Sequence, residues 1–225
     1  GYTILLGHTG QATQTSLYKS LTYDPVESFD TIGLVTEVPM TIVGKPGLEP
    51  ADLKILITYI RERPDKLNYA HSGLGSVAQL CGLMFMSATR TKMTVIPYKG
   101  GGEVMKDLLA GQIDVYCEPA TGTTANIQAG KIKAYAVTTK KRVGTLPDVP
   151  TTLEAGFPDS DYTFWNGMLA PAKTPRALVN RLHAEVDKVL ALPAVKEKFA
   201  LQGIESMPLT PEEFDALIRR EIVAN

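Results

Sequence analysis

From Tyr2 to Thr139 short strand-like runs alternate with helical segments, and that alternation restricts the folds open to the chain. The runs "YTILL" (2–6), "MTIV" (40–43), "LNYA" (67–70), "TVIP" (94–97), "IDVYC" (113–117) and "KAYAVTT" (133–139) are rich in Val, Ile, Leu and Tyr. Those residues suit a pleated, half-buried surface. Between them, Pro50 opens a helix running to about Arg63, with Leu53, Leu56, Ile57 and Ile60 on one stripe. Ser76 and Gln79 form a capping-box pattern ahead of Leu80 and Met84. Such alternation predicts an α/β fold with mostly parallel strands, because parallel neighbours need a crossover connection that a helix supplies.

The last third reads differently. Thr174-Pro175 looks like cap and first turn before Leu178, Val179, Leu182, Val186 and Val189, and Thr210-Pro211-Glu212-Glu213 repeats the device before Phe214, Leu217 and Ile218. Two or three helices therefore close the chain. The Pro-, Thr- and Asp-rich stretch 145–159 reads as an irregular connection and a linker between lobes.

Composition removes several classes of function. The 225 residues carry 23 basic and 24 acidic side chains, a formal charge of -1, so no summed field draws the chain to nucleic acid or to an anionic membrane. No run approaches the roughly 18 apolar residues of a membrane-spanning helix. Two cysteines, Cys81 and Cys117, lack metal-site spacing and are too few for a disulfide framework. They read as buried thiols, with a single disulfide as the alternative. No metal or cofactor is expected.

Two segments repeat one pattern. In "ILLGHTGQATQTSLY" (4–18) and "LNYAHSGLGSVAQLC" (67–81) a strand is followed by His, a hydroxyl residue, Gly and a run of small residues opening a helix. The amides of a first helical turn have no intrahelical acceptor and carry partial positive charge. Glycine lets the backbone approach a ligand, and hydroxyls add donors. One such loop fits an ordinary βα turn; two point to a pair of anion cradles. His8 and His71 read first as partners of their own turns, with ligand contact as the alternative.

A third stretch, "TVIPYKGGGEVMKDLLAGQIDVYCEPATG" (94–122), reads as strand, glycine turn, helix, strand. Gly100, Gly101 and Gly102 lack phosphate-loop spacing and its terminal Lys-Ser/Thr pair, which argues against nucleotide binding. Lys99 is a surface charge or a neighbour of the site. Glu118 falls where a strand ends, the usual place for ligand groups in open α/β sheets, or it caps the loop that follows.

A hydrolase would use Ser72 or Cys81 as nucleophile. The nucleophile elbow needs Gly-x-Ser-x-Gly, but positions 70 and 74 are Ala and Leu. Only His8, His71 and His183 could serve as imidazole base, and His183 is expected to be exposed on a charged helix.

Together, "GYTILLG", "SLYKSLTYDPVESF", "YAHSGLGS", "PYKGGG", "LLAGQIDV", "KIKAYAVTTKKR", "LPDVPTTLEAG" and "WNGMLAPAKTP" resemble, in this order, the extracytoplasmic solute-binding receptors of tripartite tricarboxylate transporters. The resemblance covers essentially the whole chain. It implies a type II periplasmic binding-protein fold of two α/β lobes joined by crossover strands near Ile42 to Lys45 and Phe164 to Ala170. Lobe 1 would be 1–43 plus 161–225, and lobe 2 would be 44–160. Family members normally open with a further βαβ segment, absent from this chain, so an exposed edge is expected in lobe 1.

The resemblance also implies a function. The chain would be a periplasmic, monomeric, non-enzymatic receptor that captures a small organic carboxylate (a dicarboxylate, aromatic acid or amino acid) between its lobes and delivers it to transporter membrane subunits. The alternative is a sensory receptor of the same fold docking on a signalling partner. The candidate ligand contacts are His8, Thr9 and Gly10; Ser72, Gly73, Leu74, Gly75 and Ser76; and Glu118. Relatives often carry Asp beside Asn or Gln at the last position, where this chain has Glu118-Pro119. Trp165 reads as a packing residue, with an aromatic ligand wall as the alternative.

Overall fold

The computed structural model describes residues 3–157 and 162–224. Tyr2 of the first strand run, positions 158–159 of the Pro-rich connection and the expected lobe boundary at 160/161 lie outside the described residues. The chain divides into two compact units, Gly1–Glu37 with Phe164–Asn225, and Val38–Thr163.

The first unit begins with β1 (Leu5–His8), a 3-10 helix (Thr9–Thr13) and α1 (Gln14–Leu17). Strand β2 (Phe29–Gly44) starts here and continues into the second unit. Within the first unit the sheet order is β1, β7 (Thr163–Pro171), β2, β8 (Glu205–Leu209). The β1–β7 and β2–β8 pairs are antiparallel. Helices α6 (Arg176–Ala191), α7 (Pro193–Leu201) and α8 (Pro211–Ala224) complete the unit. Its core gathers Leu34, Trp165, Leu169, Phe214 and Ile218. The Trp165 and Phe214 rings meet edge to face with centroids 5.2 Å apart, so Trp165 is a packing residue of the unit. A Cβ at Gly167 would fall inside the Phe214 ring, which is why that strand position carries none. Leu5 and Leu6 of β1 are exposed.

In the second unit the order is β6 (Lys133–Val137), β2, β5 (Val115–Pro119), β3 (Asn68–His71), β4 (Thr94–Pro97). Helices α2 (Leu53–Glu62), α3 (Val77–Thr89), α4 (Gly101–Leu109) and α5 (Ala120–Gln128) supply the connections. The expectation of mostly parallel strands needs correction. β3 pairs in parallel with β4 and β5, but β2 lies antiparallel between β5 and β6. A β2 that enters from the other unit needs no crossover helix to reach its neighbours, so the strand–helix alternation does not report its direction.

Helix α2 buries Leu53, Leu56, Ile57 and Ile60, the stripe read from the sequence. Its start differs: Asp52 is the N-cap, its carboxylate accepting the Ile55 N–H at 2.9 Å, and Pro50 precedes the helix. Helix α6 likewise begins at Arg176 without a side-chain cap, because the Thr174 hydroxyl donates to the Pro171 carbonyl at 2.6 Å instead. At α8 the expected cap at Thr210 is present, and it forms a full capping box: Thr210 Oγ1 accepts the Glu213 N–H at 3.2 Å, and the Glu213 carboxylate accepts the Thr210 N–H at 2.9 Å.

Three further expectations change. Cys81 and Cys117 form a disulfide with Cα atoms 6.1 Å apart; α3 packs over β5 and brings the two buried sulfurs together. The described part of the 145–159 connection is no linker, since Leu146 and Val149 are buried with Val137 and Val143 and Thr151 bridges to β6 at Val137. His183 is not exposed: its side chain retains 19% accessibility, and its Nδ1 is buried where a Cβ on Gly33 of β2 would come within 2.9 Å.

Candidate functional site

The two loops share one local device. His8 ends β1 in extended conformation, and its Nδ1 accepts the Gly10 N–H at 2.9 Å. His71 ends β3, and its Nδ1 lies 3.2 Å from the Gly73 N and 2.8 Å from the Gly73 O. Each imidazole thus ties its loop to the glycine two residues on, in the manner of an Asx turn. Burial pushes the His8 imidazole below its ordinary pKa, favouring the neutral ring that such an acceptor requires.

Beyond that device the loops diverge. The first opens a 3-10 helix followed by an α-helix of 4 residues, so the expected helix-dipole contribution is small there. Its polar groups serve the unit's own fold. Thr9 Oγ1 accepts the Trp165 N–H at 2.9 Å, Thr13 Oγ1 donates to the Gly10 O at 2.9 Å, and Gln11 Nε2 donates to the Pro25 O at 2.6 Å. Residues 9–13 are all buried.

The second loop opens α3, of 13 residues. Gly73 and Gly75 sit at φ 128° and 73°, backbone that a side chain strains. Ser76 is the N-cap, its Oγ accepting the Gln79 N–H at 3.2 Å. The Gln79 amide oxygen takes the Gly75 N–H at 2.6 Å, one residue short of the reciprocal bond of a capping box. The Gly73, Gly75 and Ser76 amides are bonded inside the loop, and donors it can offer include the Ser76 hydroxyl proton and the Val77 amide, which has no acceptor in the helix itself. Leu74 is exposed at the tip.

This loop stands at the end of β3, and the neighbouring strand ends supply the rest of the site, as open α/β sheets do. Strand β5 contributes Tyr116 and Glu118, two positions apart and therefore on one face. The Tyr116 hydroxyl donates to Glu118 Oε2, and the Ser72 side chain is a neighbour of the same phenol. Gly101 at the start of α4 and Gly122 of α5 flank the carboxyl: a Cβ on either would lie 3.1 Å from Glu118 Oε1. Burial raises the Glu118 pKa, against the opposing pull of the Tyr116 bond. Burial also pushes the Tyr116 phenol far up, with the Glu118 charge adding to it. Lys99, in the turn before α4, is exposed.

Ser72, Gly73, Leu74, Gly75, Ser76 and Glu118 are thus brought together within the second unit, while His8, Thr9 and Gly10 form a separate loop in the first. The sequence reading gives Tyr116 no role beyond membership of the strand run 113–117. Its place two residues before a carboxylate at a strand end was the signal that it shares that carboxylate's face.

Comparison with known proteins accords with this architecture. Residues 1–223 match the tripartite tricarboxylate transporter family receptor model. A protein of the TAR-I ttuE-ttuC' intergenic region of Agrobacterium vitis is 40% identical over 99% of this chain and 65% of its own length. BugT of Bordetella pertussis is 32% identical over 99% of this chain and 69% of its own. The chain therefore spans about two thirds of the length of these curated relatives. Among solved structures, the periplasmic binding protein BugD superposes with a TM-score of 0.92 at 40% identity, over 99% of this chain and 75% of its own. MatC from Rhodopseudomonas palustris, with bound malate, gives 0.90 at 30% identity over 98% and 76%. A second R. palustris protein, with adipate, gives 0.92 at 30% over 100% and 75%. The α/β periplasmic binding-protein fold expected from the sequence is the fold of this chain. By sequence and by structure, the chain belongs to the tripartite tricarboxylate transporter receptor family.

Proposed function

We propose that the protein is a periplasmic receptor that captures a small organic carboxylate and delivers it to the membrane subunits of a tripartite transporter, acting as a monomer. The observation that carries this is the 72–76 loop at the N-terminus of α3. Positive-φ glycines there expose backbone, Ser76 and Val77 keep donors free, and the helix end favours negative charge. Family relatives with malate and adipate bound support the ligand class. The proposed contacts are Ser72, Gly73, Leu74, Gly75, Ser76 and Glu118, all of the second unit.

No catalytic role is proposed for Ser72. Among the described residues no hydrogen bond between Ser72 and a histidine is found, and His71 Nδ1 is turned into its own loop, whereas acyl transfer needs a nucleophile paired with a base. A helix long and apolar enough to cross a membrane is absent among the described residues, and the disulfide suits an oxidising compartment. A thermal-shift screen of aliphatic dicarboxylates, hydroxy acids, aromatic acids and amino acids tests the reading. Ligands that bind the folded state raise the melting temperature; a flat response across all four classes would count against it.

A further inference from the structure

Glu118 commits only one of its carboxylate oxygens to the protein. Oε2 accepts the Tyr116 O–H, whereas Oε1 has no hydrogen-bond partner among the described residues and is not sealed off from solvent. The residues flanking that oxygen are glycines. A Cβ on Gly101, at the start of α4, or on Gly122, inside α5, would stand 3.1 Å from Oε1. Neither glycine has the positive φ that would require it, and alanine is favoured over glycine within a helix. What their bare backbone provides is a clear approach to Oε1.

No cation balances this carboxylate. Lys99, in the turn before α4, is exposed and forms no ion pair among the described residues. Burial, opposed only by the Tyr116 bond, raises the Glu118 titration, with no positive neighbour to lower it. Glu118 and the 72–76 loop occupy adjacent strand ends. β3 and β5 run parallel with Ala70 beside Tyr116, so two residues further along each chain stand Ser72 and Glu118. Ala70, Tyr116 and Ala78 of the first turn of α3 pack in one cluster, which sets the start of α3 against the strand that carries Glu118.

An anionic ligand held at the loop therefore brings a second negative charge toward Glu118, and like charges without a cation between them repel. A ligand with its own ammonium group removes that conflict. Its carboxylate meets the donors of the loop, while its N–H groups, which can only donate, meet an oxygen that no other donor occupies. We propose that Glu118 is a specificity-determining residue whose Oε1 accepts the ammonium group of the ligand, which makes the substrate class amino acids rather than amine-free carboxylates.

The inference rests on the carboxylate-binding reading, and the test separates the two. Isothermal titration calorimetry compares compounds that differ by a single amino group: succinate with aspartate, adipate with 2-aminoadipate, and 3-phenylpropionate with phenylalanine. The intact wild type, Glu118→Gln and Gly122→Ala are titrated in parallel. In the wild type, the amino member of at least one pair is expected to bind about tenfold or more tighter than its partner, as a hydrogen bond between charged groups allows. In Glu118→Gln that preference should shrink to about threefold or less, because the Gln carbonyl keeps the Tyr116 proton and its NH2 group takes the place of Oε1. Amine-free diacids should bind this variant better than the wild type. Gly122→Ala, which helix propensity favours, sets a methyl group beside Oε1 and should weaken the amino member selectively. Amine-free members binding the wild type as tightly as their amino partners would overturn the inference and leave carboxylate binding intact. A preference kept in full by Glu118→Gln would do the same. No heat from any of these compounds, nor from a wider carboxylate panel, would instead remove the binding reading itself.

Discussion

Cys81 of α3 and Cys117 of β5 are covalently joined across 36 positions of sequence, beside the two residues that frame the proposed site. The bridge ties the helix whose N-terminus holds Ser76 to the strand that holds Tyr116 and Glu118. Loop-closure entropy for that separation is worth about 3 to 4 kcal/mol. Replacing both cysteines by serine is expected to lower unfolding free energy by up to about that amount in urea titration, and reductant should lower the melting temperature of the wild type alone. Equal response of both proteins to reductant would show the bridge absent in solution.

Gly82 of α3 lies against the ring of Tyr69, so closely that a Cβ would fall within the phenol. Tyr69 is 2% exposed and donates to the Ala78 carbonyl, which leaves the ring no room to retreat. Alanine gains up to about 1 kcal/mol over glycine inside a helix, but overpacking a rigid ring costs about 1 to 3 kcal/mol. Gly82→Ala is therefore expected to destabilise, and Tyr69→Leu in the same chain to recover part of the loss in a double-mutant cycle. Additive effects of the two substitutions would contradict the contact.

Glu221 accepts the Trp165 Nε1–H at 2.9 Å in the first unit. Burial foremost, with Glu37 adding repulsion, holds its carboxyl above the usual range, against the pull of the Trp165 bond and Arg220. The folded state therefore keeps the proton longer than the unfolded chain does. This contribution to stability is complete below the unfolded pKa and is lost as pH rises through the folded value. Glu221→Gln, which retains an acceptor for Trp165, is expected to be more stable than wild type at neutral pH, with the gap closing in acid. A gap that is constant with pH, or reversed, would count against the assignment.

Ser76 has two tasks that can be measured separately. Its oxygen caps α3, so Ser76→Ala should cost about 1 kcal/mol in stability. Its free proton is proposed to reach the ligand carboxylate, worth about 1.5 to 3 kcal/mol in binding. Ser76→Gly keeps most of the helix start and should lose affinity to the same extent; retention of affinity by both variants would remove Ser76 from the site.

Local patterns were legible in the sequence where the physics is local. The α2 stripe, β4 at 94–97, the helix start at Thr210-Pro211 and the paired His-to-Gly loops all follow from neighbours a few residues apart. What was missed depends on distant packing. Only "MTIV" of the 16-residue β2 was read as strand, since Gly33, Glu37 and Pro39 break its apolar run. β8 went unread because Glu205–Leu209 is short and carries Pro208. The disulfide needed knowledge that α3 lies over β5. Of the site, the loop residues were read directly, whereas Tyr116 gained a role only once β5 and β3 stood side by side.

Carboxylate capture by the 72–76 loop is the centre of the account, and isothermal titration calorimetry of the intact protein with small carboxylates tests it most directly. Saturable binding of at least one carboxylate, weakened roughly tenfold to a hundredfold by Ser76→Ala, is the expected result. No heat from any member of a broad carboxylate panel, or binding indifferent to Ser76→Ala and Ser72→Ala alike, would contradict it.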